Sequence, residues 1–370
     1  MIRLSRPYLP DNSIEDMLLS VRSGNLVQGN QVAAFEAALS ASLDIPEVVV
    51  VSSGTAALHL SLIANNIGRG DEVIVPAYSF PAVANVVELV GARPVFVDIR
   101  ADNCCIDTSL IAAKINRNTA AIMPVHEFGH PADMEQIKYL AGHHGLTVIE
   151  DAACALGTKY RMKPAGTLSD AGCFSFHPRK ILTTGEGGAI ATHSTTMASQ
   201  LRKLRNHGIK MEGSVADFVL PGYNYRMTDF QAALGLEQLK QLDDTVNVFR
   251  QQAAHYALLL KNTAAKCIYN ENNEEYSTYQ TFLVYLPGKT QANKIKAELF
   301  DRGVETNIGA HAMPFLSYYA KKYPQLPDDF PVSFHAWRHA LALPIGRHIT
   351  AVDQEFVVEQ LLAILKAYGF

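Results

Sequence analysis

Short apolar runs, separated by stretches with helical spacing, recur from about residue 48 to residue 192. Val48–Val51, Val73–Pro76, Pro94–Asp98, Ala120–Val125, Leu146–Glu150, Gly172–Phe176 and Ala189–Thr192 are predicted strands. Several are apolar throughout rather than alternating, the pattern of strands buried on both faces of a largely parallel sheet. Ala56 to Ala64 is a predicted helix that opens on Ser52-Ser53-Gly54-Thr55 and stops at Gly68 and Gly70. Ala82 to Val90 forms a second, ended by Gly91, and Asp133 to His144 a third, ended by Gly145. Strand and helix in alternation imply an α/β fold with ligands at the carboxyl ends of the strands.

Beyond residue 193 the pattern changes. Met197 to Arg205 and Asp229 to Leu242 are predicted helices, and Asp243 to Leu260 reads as a long connecting helix. A strand at Thr278–Leu286, a helix from Gln291 to Arg302 and a final amphipathic helix from Val352 to Tyr368 follow. The expected division is a large domain, residues 1–245, and a smaller C-terminal α+β domain, residues 246–370. A chain of 370 residues accommodates about two domains.

Composition narrows the function classes. Hydrophobic content of 48% supports a sizeable core, and a net charge of -4 gives no reason to expect nucleic acid or an anionic membrane as partner. The five cysteines form no CxxC pair, which fits a reducing compartment. Met1 to Asp16 mixes polar and apolar residues with two prolines and lacks the apolar core of a secretory signal. No stretch approaches the ~18 uninterrupted apolar residues of a membrane span. A cytoplasmic protein is expected.

Candidate chemistry gathers at the strand ends. Lys180 follows the strand Gly172–Phe176 and precedes a Gly-rich loop, Thr183-Thr184-Gly185-Glu186-Gly187-Gly188. Burial lowers a lysine pKa and frees the amine to form a Schiff base. Arg179 is excluded because a guanidinium forms no such bond, and Lys159 lies in a polar turn. Ser52-Ser53-Gly54-Thr55 after a strand offers free backbone N–H groups to a phosphate, or is an ordinary helix cap. Asp151, ending its strand, can pair with a protonated pyridine nitrogen, cap a helix or bind a metal. Glu150 beside it points to the opposite face. Ser175 can add a hydroxyl to the phosphate site, and Phe80 can stack on a ring or cap the sheet. Amine, phosphate turn and carboxylate together suit pyridoxal phosphate.

Two other readings are weaker. His126-Glu127-Phe128-Gly129-His130 matches the zinc pattern H-E-x-x-H. That chemistry needs both histidines on one helix face, whereas Gly129 and Pro131 favour a loop, so no metal is expected. There is no G-x-G-x-x-G after the first strand and no Walker lysine loop, which disfavours a dinucleotide oxidoreductase.

The chain resembles the DegT/DnrJ/EryC1/StrS sugar aminotransferases. The matching segments include Ser52-Ser53-Gly54-Thr55-Ala56-Ala57-Leu58, Gly70 to Pro76, Pro94 to Asp98, Glu150-Asp151-Ala152-Ala153, Phe174 to Pro178, Thr184 to Gly188, Asn206-His207-Gly208 and Gly222 to Arg226. They stand in family order. The resemblance implies the type I fold of pyridoxal-phosphate-dependent transferases, with a mostly parallel seven-stranded sheet flanked by helices. It implies Lys180 as Schiff-base lysine and proton shuttle, and Asp151 as partner of the ring nitrogen. Gly54, Thr55 and Ser175 would hold the phosphate, and Phe80 would stack on the ring. Asn224 would reach the phosphate of the other subunit's cofactor, so a homodimer with shared active sites is implied. His126 would lie in a loop beside the cofactor. Cys154 stands where many members have Gln or His near the phenolic oxygen, and a thiol is a weaker hydrogen-bond partner. Gly309-Ala310-His311-Ala312-Met313 departs from the usual aromatic substrate loop. His311 and Tyr223 are the candidates for substrate contact.

The implied reaction moves an amino group from L-glutamate to a nucleotide-linked keto sugar. The Thr183 to Gly188 loop resembles members acting at sugar C4, which favours a UDP- or dTDP-linked 4-keto-6-deoxyhexose. Action at C3 and a non-catalytic, cofactor-binding regulator are the alternatives. A dehydratase of the same fold would have histidine in place of Lys180.

Overall fold

The computed structural model describes residues 1–269 and 274–370. Seven strands form the central sheet: β1 (Glu47–Val51), β2 (Glu72–Pro76), β3 (Arg93–Val97), β4 (Thr119–Ile122), β5 (Thr147–Asp151), β6 (Ala171–Ser175) and β7 (Gly188–Thr192). Their order is β1-β7-β6-β5-β4-β2-β3. The four pairings from β6 to β3 are parallel, and β7 alone runs antiparallel to both its neighbours. These are the seven strands expected from the apolar runs. All five residues of β7 and the last four of β1, β2 and β5 are buried, as strands covered on both faces require.

Helices cover the sheet. They are α1 (Asp11–Arg22), α2 (Asn30–Leu43), α3 (Gly54–Ala64), α4 (Ala82–Leu89), α5 (Met134–His144), α6 (Thr195–Leu204) and α7 (Asp229–Leu239). The first two precede the strand–helix alternation and are not announced by it. Val32, Phe35, Leu39 and Leu43 form a buried stripe along α2 at helical spacing. Asp229, at the start of α7, accepts from the Gly29 and Val32 N–H groups at 2.7 and 3.0 Å, so α2 is capped from 200 residues away. α3 is buried on nearly every side, and its end differs from expectation. It caps at Asn65, and Asn66 takes the left-handed turn (φ 57°), two residues before Gly68. Asn tolerates that region because its short amide bonds locally. α5 follows the expected course, from an Asp133 N-cap to a left-handed Gly145.

A second sheet lies C-terminal to α8 (Leu242–Leu260). Its strands are β8 (Lys266–Cys267), β9 (Phe282–Tyr285), β10 (Asn307–Ile308) and β11 (Ala340–Leu343), in the order β8-β9-β11-β10 and antiparallel throughout. α9 (Ala292–Asp301), α10 (Pro331–His339) and α11 (Ala351–Ala367) accompany it. Tyr256, Phe282, Leu341 and Leu361 share its core. The strand expected over Thr278–Leu286 is shorter. The N–H groups of Thr278 and Thr281 bond the carbonyls of Gly129 and Phe128 instead, at 3.1 and 3.3 Å. That detour ties the second sheet to the turn beside Asp151. Among the described residues no helix is long and apolar enough to cross a membrane.

Candidate active site

Lys180 is presented by a tight turn at the end of β6. Its N–H bonds the His177 carbonyl at 2.8 Å. The loop beyond is pinned by the Thr183 hydroxyl, which donates to the Phe176 carbonyl at 2.9 Å, and by Gln238, which accepts from the Thr183 N–H at 3.0 Å. Lys180 Nζ then donates to Cys154 Sγ at 2.9 Å. Cys154 is placed by its own turn, in which Asp151 Oδ1 accepts from the Ala153 N–H at 3.0 Å. The residue expected near a phenolic oxygen is thus in contact with the amine.

Charge alters one expectation. Burial by itself lowers the Lys180 pKa, as anticipated, but the Cys154 sulfur, Asp151 and Glu127 more than offset it, and the amine sits above the ordinary lysine range. Burial raises Asp151 above the usual carboxylate range, against the pull of the Ala153 N–H and of Lys180. Burial also raises Cys154, against the opposing pull of Lys180.

The phosphate cradle is built by close approach. A Cβ on Gly54 would lie 2.7 Å from Ser175 Cβ, and one on Gly188 would lie 2.5 Å from the Ser53 carbonyl carbon. Only glycines let the end of β6, the start of β7 and the N-terminus of α3 meet this closely. The Ser53 side chain caps α3 through the Ala56 N–H at 3.0 Å, and Thr55 stays exposed at the helix start. Free N–H groups and the positive end of the helix dipole remain there for an anion.

The other expected residues divide. His311 pairs in register with Ser79, one residue from Phe80, so the departing substrate loop and the ring-stacking candidate share one edge. The Phe80 side chain is 69% exposed, open to a planar ligand. Tyr223 stacks on Tyr225 (5.0 Å between centroids) and meets the edge of His59 (5.2 Å). Asn224 is exposed, in a loop anchored to the cradle by the Ser52 N–H bonding the Tyr225 carbonyl at 2.8 Å.

The H-E-x-x-H segment folds as a 3-10 turn, Glu127–Gly129, with Phe128 left-handed (φ 58°). His126 Nδ1 accepts from the Ala132 N–H at 3.0 Å, so Nε2 carries the proton it shares with Glu150 at 2.9 Å. His130 Nδ1 bonds the Ser277 hydroxyl at 2.9 Å. Glu150 also accepts from Gly166, Leu168 and Ser169, each at 2.8 Å, and faces away from the amine. Burial would raise its pKa, but His126 and these donors hold it below the usual range.

Three residues were not singled out from sequence. Glu127 is buried beside Asp151 and Lys180. Arg6 and Arg179 line a cleft of about 90 Å³ with Lys180, Gln280 and Asn307. Glu127 was visible inside the H-E-x-x-H match, whereas nothing local marks Arg6, which reaches the cleft from the far end of the chain.

The residues fit pyridoxal phosphate on structural grounds. A cradle that a Cβ would fill lies at a helix N-terminus, and among the described residues the buried Asp151 carboxylate has one hydrogen-bond donor. Residues 8–362 match the DegT/DnrJ/EryC1/StrS aminotransferase family. The GDP-perosamine synthase of Escherichia coli O157:H7 is 36% identical over 304 residues, 81% of this chain and 83% of that protein. The Spr1654 protein of Streptococcus pneumoniae in its PMP form superposes with a TM-score of 0.95 at 26% identity, over 99% of this chain and 100% of that one. Its PLP form scores 0.94. PseC of Helicobacter pylori, an aminotransferase of pseudoaminic acid biosynthesis, scores 0.94 at 26% identity, over 99% of each chain.

Proposed function

The chain belongs to the DegT/DnrJ/EryC1/StrS aminotransferase family and is a pyridoxal-phosphate-dependent sugar aminotransferase, and from that premise we propose that it moves an amino group from L-glutamate to a nucleotide-linked keto sugar, at C4 of a 4-keto-6-deoxyhexose. The observation that carries the site assignment is the Lys180 amine, bonded to Cys154 beside the Asp151 carboxylate.

When bound, the cofactor supplies an electrophilic aldehyde and a ring that accepts electrons from a carbon losing its proton. The protein does the rest. Lys180 would hold the aldehyde and, as a free amine, would take and return a proton at the substrate carbon. Asp151 would pair with the ring nitrogen and keep it protonated, and its burial would strengthen that pairing. Gly54, Thr55 and Ser175 hold the phosphate at the start of α3. Phe80 would lie against the ring, and His311, paired to the strand residue Ser79, would face the sugar. Among the described residues neither Arg6 nor Arg179 has a side-chain partner, and guanidinium groups suit the carboxylates of glutamate or a diphosphate.

A homodimer completes the site in this reading. The hairpin Ile209–Glu212 and Val215–Phe218 is exposed along almost its whole length, yet carries Met211, Val215 and Phe218. A lone hairpin is marginal in water, so a second copy of the chain is its natural cover. Asn224, in the loop that follows, then reaches the partner's phosphate.

The test is an assay with glutamate and a panel of UDP-, dTDP- and GDP-linked 4-keto and 3-keto sugars, the GDP compounds included because of the perosamine synthase relative. Amination at C4 of one UDP- or dTDP-linked compound, identified by NMR, is the expected result. Turnover of 3-keto sugars alone would overturn the C4 assignment.

A further inference from the structure

Glu127 is a buried acid with no part in the amine, ring or phosphate contacts described for the other residues. It is 4% exposed and sits in the turn that follows β4. Its Oε2 has no hydrogen-bond partner among the described residues. Leaving a buried acceptor unmet costs about 1–3 kcal/mol, and more when it is charged. Such an atom calls for a group that comes to it.

The ionisable groups that interact electrostatically with Glu127 are Tyr78, Cys104, Cys105, Asp151, Cys154 and Lys180. Of these six, only Lys180 is a cation. It also has the complementary surplus. An ammonium has three donors, and among the described residues Cys154 takes the one that is paired. One side has a spare acceptor and the other has spare donors.

We propose that Glu127 receives the Lys180 nitrogen when that nitrogen leaves Cys154 and stands free, with Oε2 accepting an N–H from it and exchanging the proton. The step balances: an N–H bond of the ammonium breaks, an O–H bond of the carboxyl forms, and the amine keeps its electron pair. The reverse step returns the proton. This rests on Lys180 being the cofactor-bearing amine. Glu127 acts through Lys180 and is a positioning residue in that sense. Burial lifts its carboxyl to about 7, against the opposing pull of Ser79 and Lys180, so it can take or release a proton near neutrality.

Glu127→Gln keeps the size but cannot ionise. A carboxylate beside the Lys180 nitrogen favours its protonated form. Titrating the visible band of the cofactor-loaded enzyme should therefore give a midpoint lower by about one unit or more in the variant. Wild-type kcat/KM should fall as pH drops through about 7, because only the ionised carboxylate accepts the proton. In Glu127→Gln that limb should vanish and the plateau should drop about tenfold or more, while Glu127→Asp restores part of both. If Glu127→Gln does not fold, the apolar Glu127→Met carries the same titration. A loaded variant whose midpoint and acid limb match wild type overturns the proposal. A wild-type enzyme with no visible band that depends on Lys180 overturns the lysine assignment itself, so the two failures are told apart.

Discussion

Lys180 Nζ donates to Cys154 Sγ across 2.9 Å, joining the turn after β6 to the turn after β5. The two residues lie 26 apart in the chain and meet because β5 and β6 are parallel neighbours. The amine therefore rests on the Cys154 sulfur, with the Asp151 and Glu127 carboxyls nearby. Cys154 is part of what holds Lys180 above its ordinary pKa. Cys154→Ala should lower that pKa and expose more free amine. Cofactor capture by the cofactor-free enzyme at pH 8, followed by stopped-flow absorbance, should then speed up several-fold.

Lys180→Ala should fold and retain its circular dichroism, but lose both turnover and the visible band of the bound cofactor. Removing a nucleophile that also shuttles the proton costs on the order of 10⁴-fold or more in rate. Full activity in this variant would sink the assignment of the site.

Gly54→Val tests the cradle. Even a Cβ at this position would stand 2.7 Å from Ser175 Cβ, so a branched side chain must push β6 and the start of α3 apart. Cofactor affinity should fall about tenfold to a hundredfold, the equivalent of roughly 1.4–2.8 kcal/mol. Equilibrium dialysis or fluorescence titration with pyridoxal phosphate measures it.

Glu127 also leaves a stability signature. Its folded-state carboxyl sits at about 7 against an ordinary 4.5. A raised pKa gives stability that is fully present below about pH 4.5 and lost as pH rises through about 7. Above pH 7 the fold carries a buried anion at a cost of about 3 kcal/mol. Relative to wild type, cofactor-free Glu127→Gln should be stabilised by about 1–3 kcal/mol at pH 8, and the gain should shrink toward zero near pH 4. Urea unfolding at the two pH values reads the difference.

A structural pair gives an independent check on the scaffold. Arg205, 3% exposed, binds Glu36 at 2.5 Å, and Glu36 also accepts from the Val50 N–H of β1 at 3.0 Å. Glu36→Ala leaves a buried guanidinium unpaired and should destabilise the fold by about 3–5 kcal/mol. The midpoint of thermal or denaturant unfolding should drop accordingly.

The central sheet was legible because strands buried on both faces must be apolar at every position. Val48–Val51 and Ala189–Thr192 advertise themselves regardless of what they pair with. α2 has an equally clear stripe through Val32, Phe35, Leu39 and Leu43, but it precedes the alternation that frames the rest. Its start depends on Asp229, which no local signal links to Gly29. The expected strand over Thr278–Leu286 shortened because its first residues bond the Glu127–Gly129 turn, a partner far away in the chain.

From the chain alone came the α/β class, the seven strands, and Lys180, Asp151 and the Gly54 turn as the pieces of a cofactor site, since each carries a local chemical signature. Folding decided how the charges compete. Burial does lower the amine's pKa, but Cys154, Asp151 and Glu127 reverse the balance because the sheet and its loops bring all three around Lys180. Folding also set the H-E-x-x-H segment in a turn that buries Glu127 within electrostatic reach of that amine, and carried Arg6 into the cleft that Lys180 lines. Proton affinity depends on distance through space, and distance along the chain does not report it.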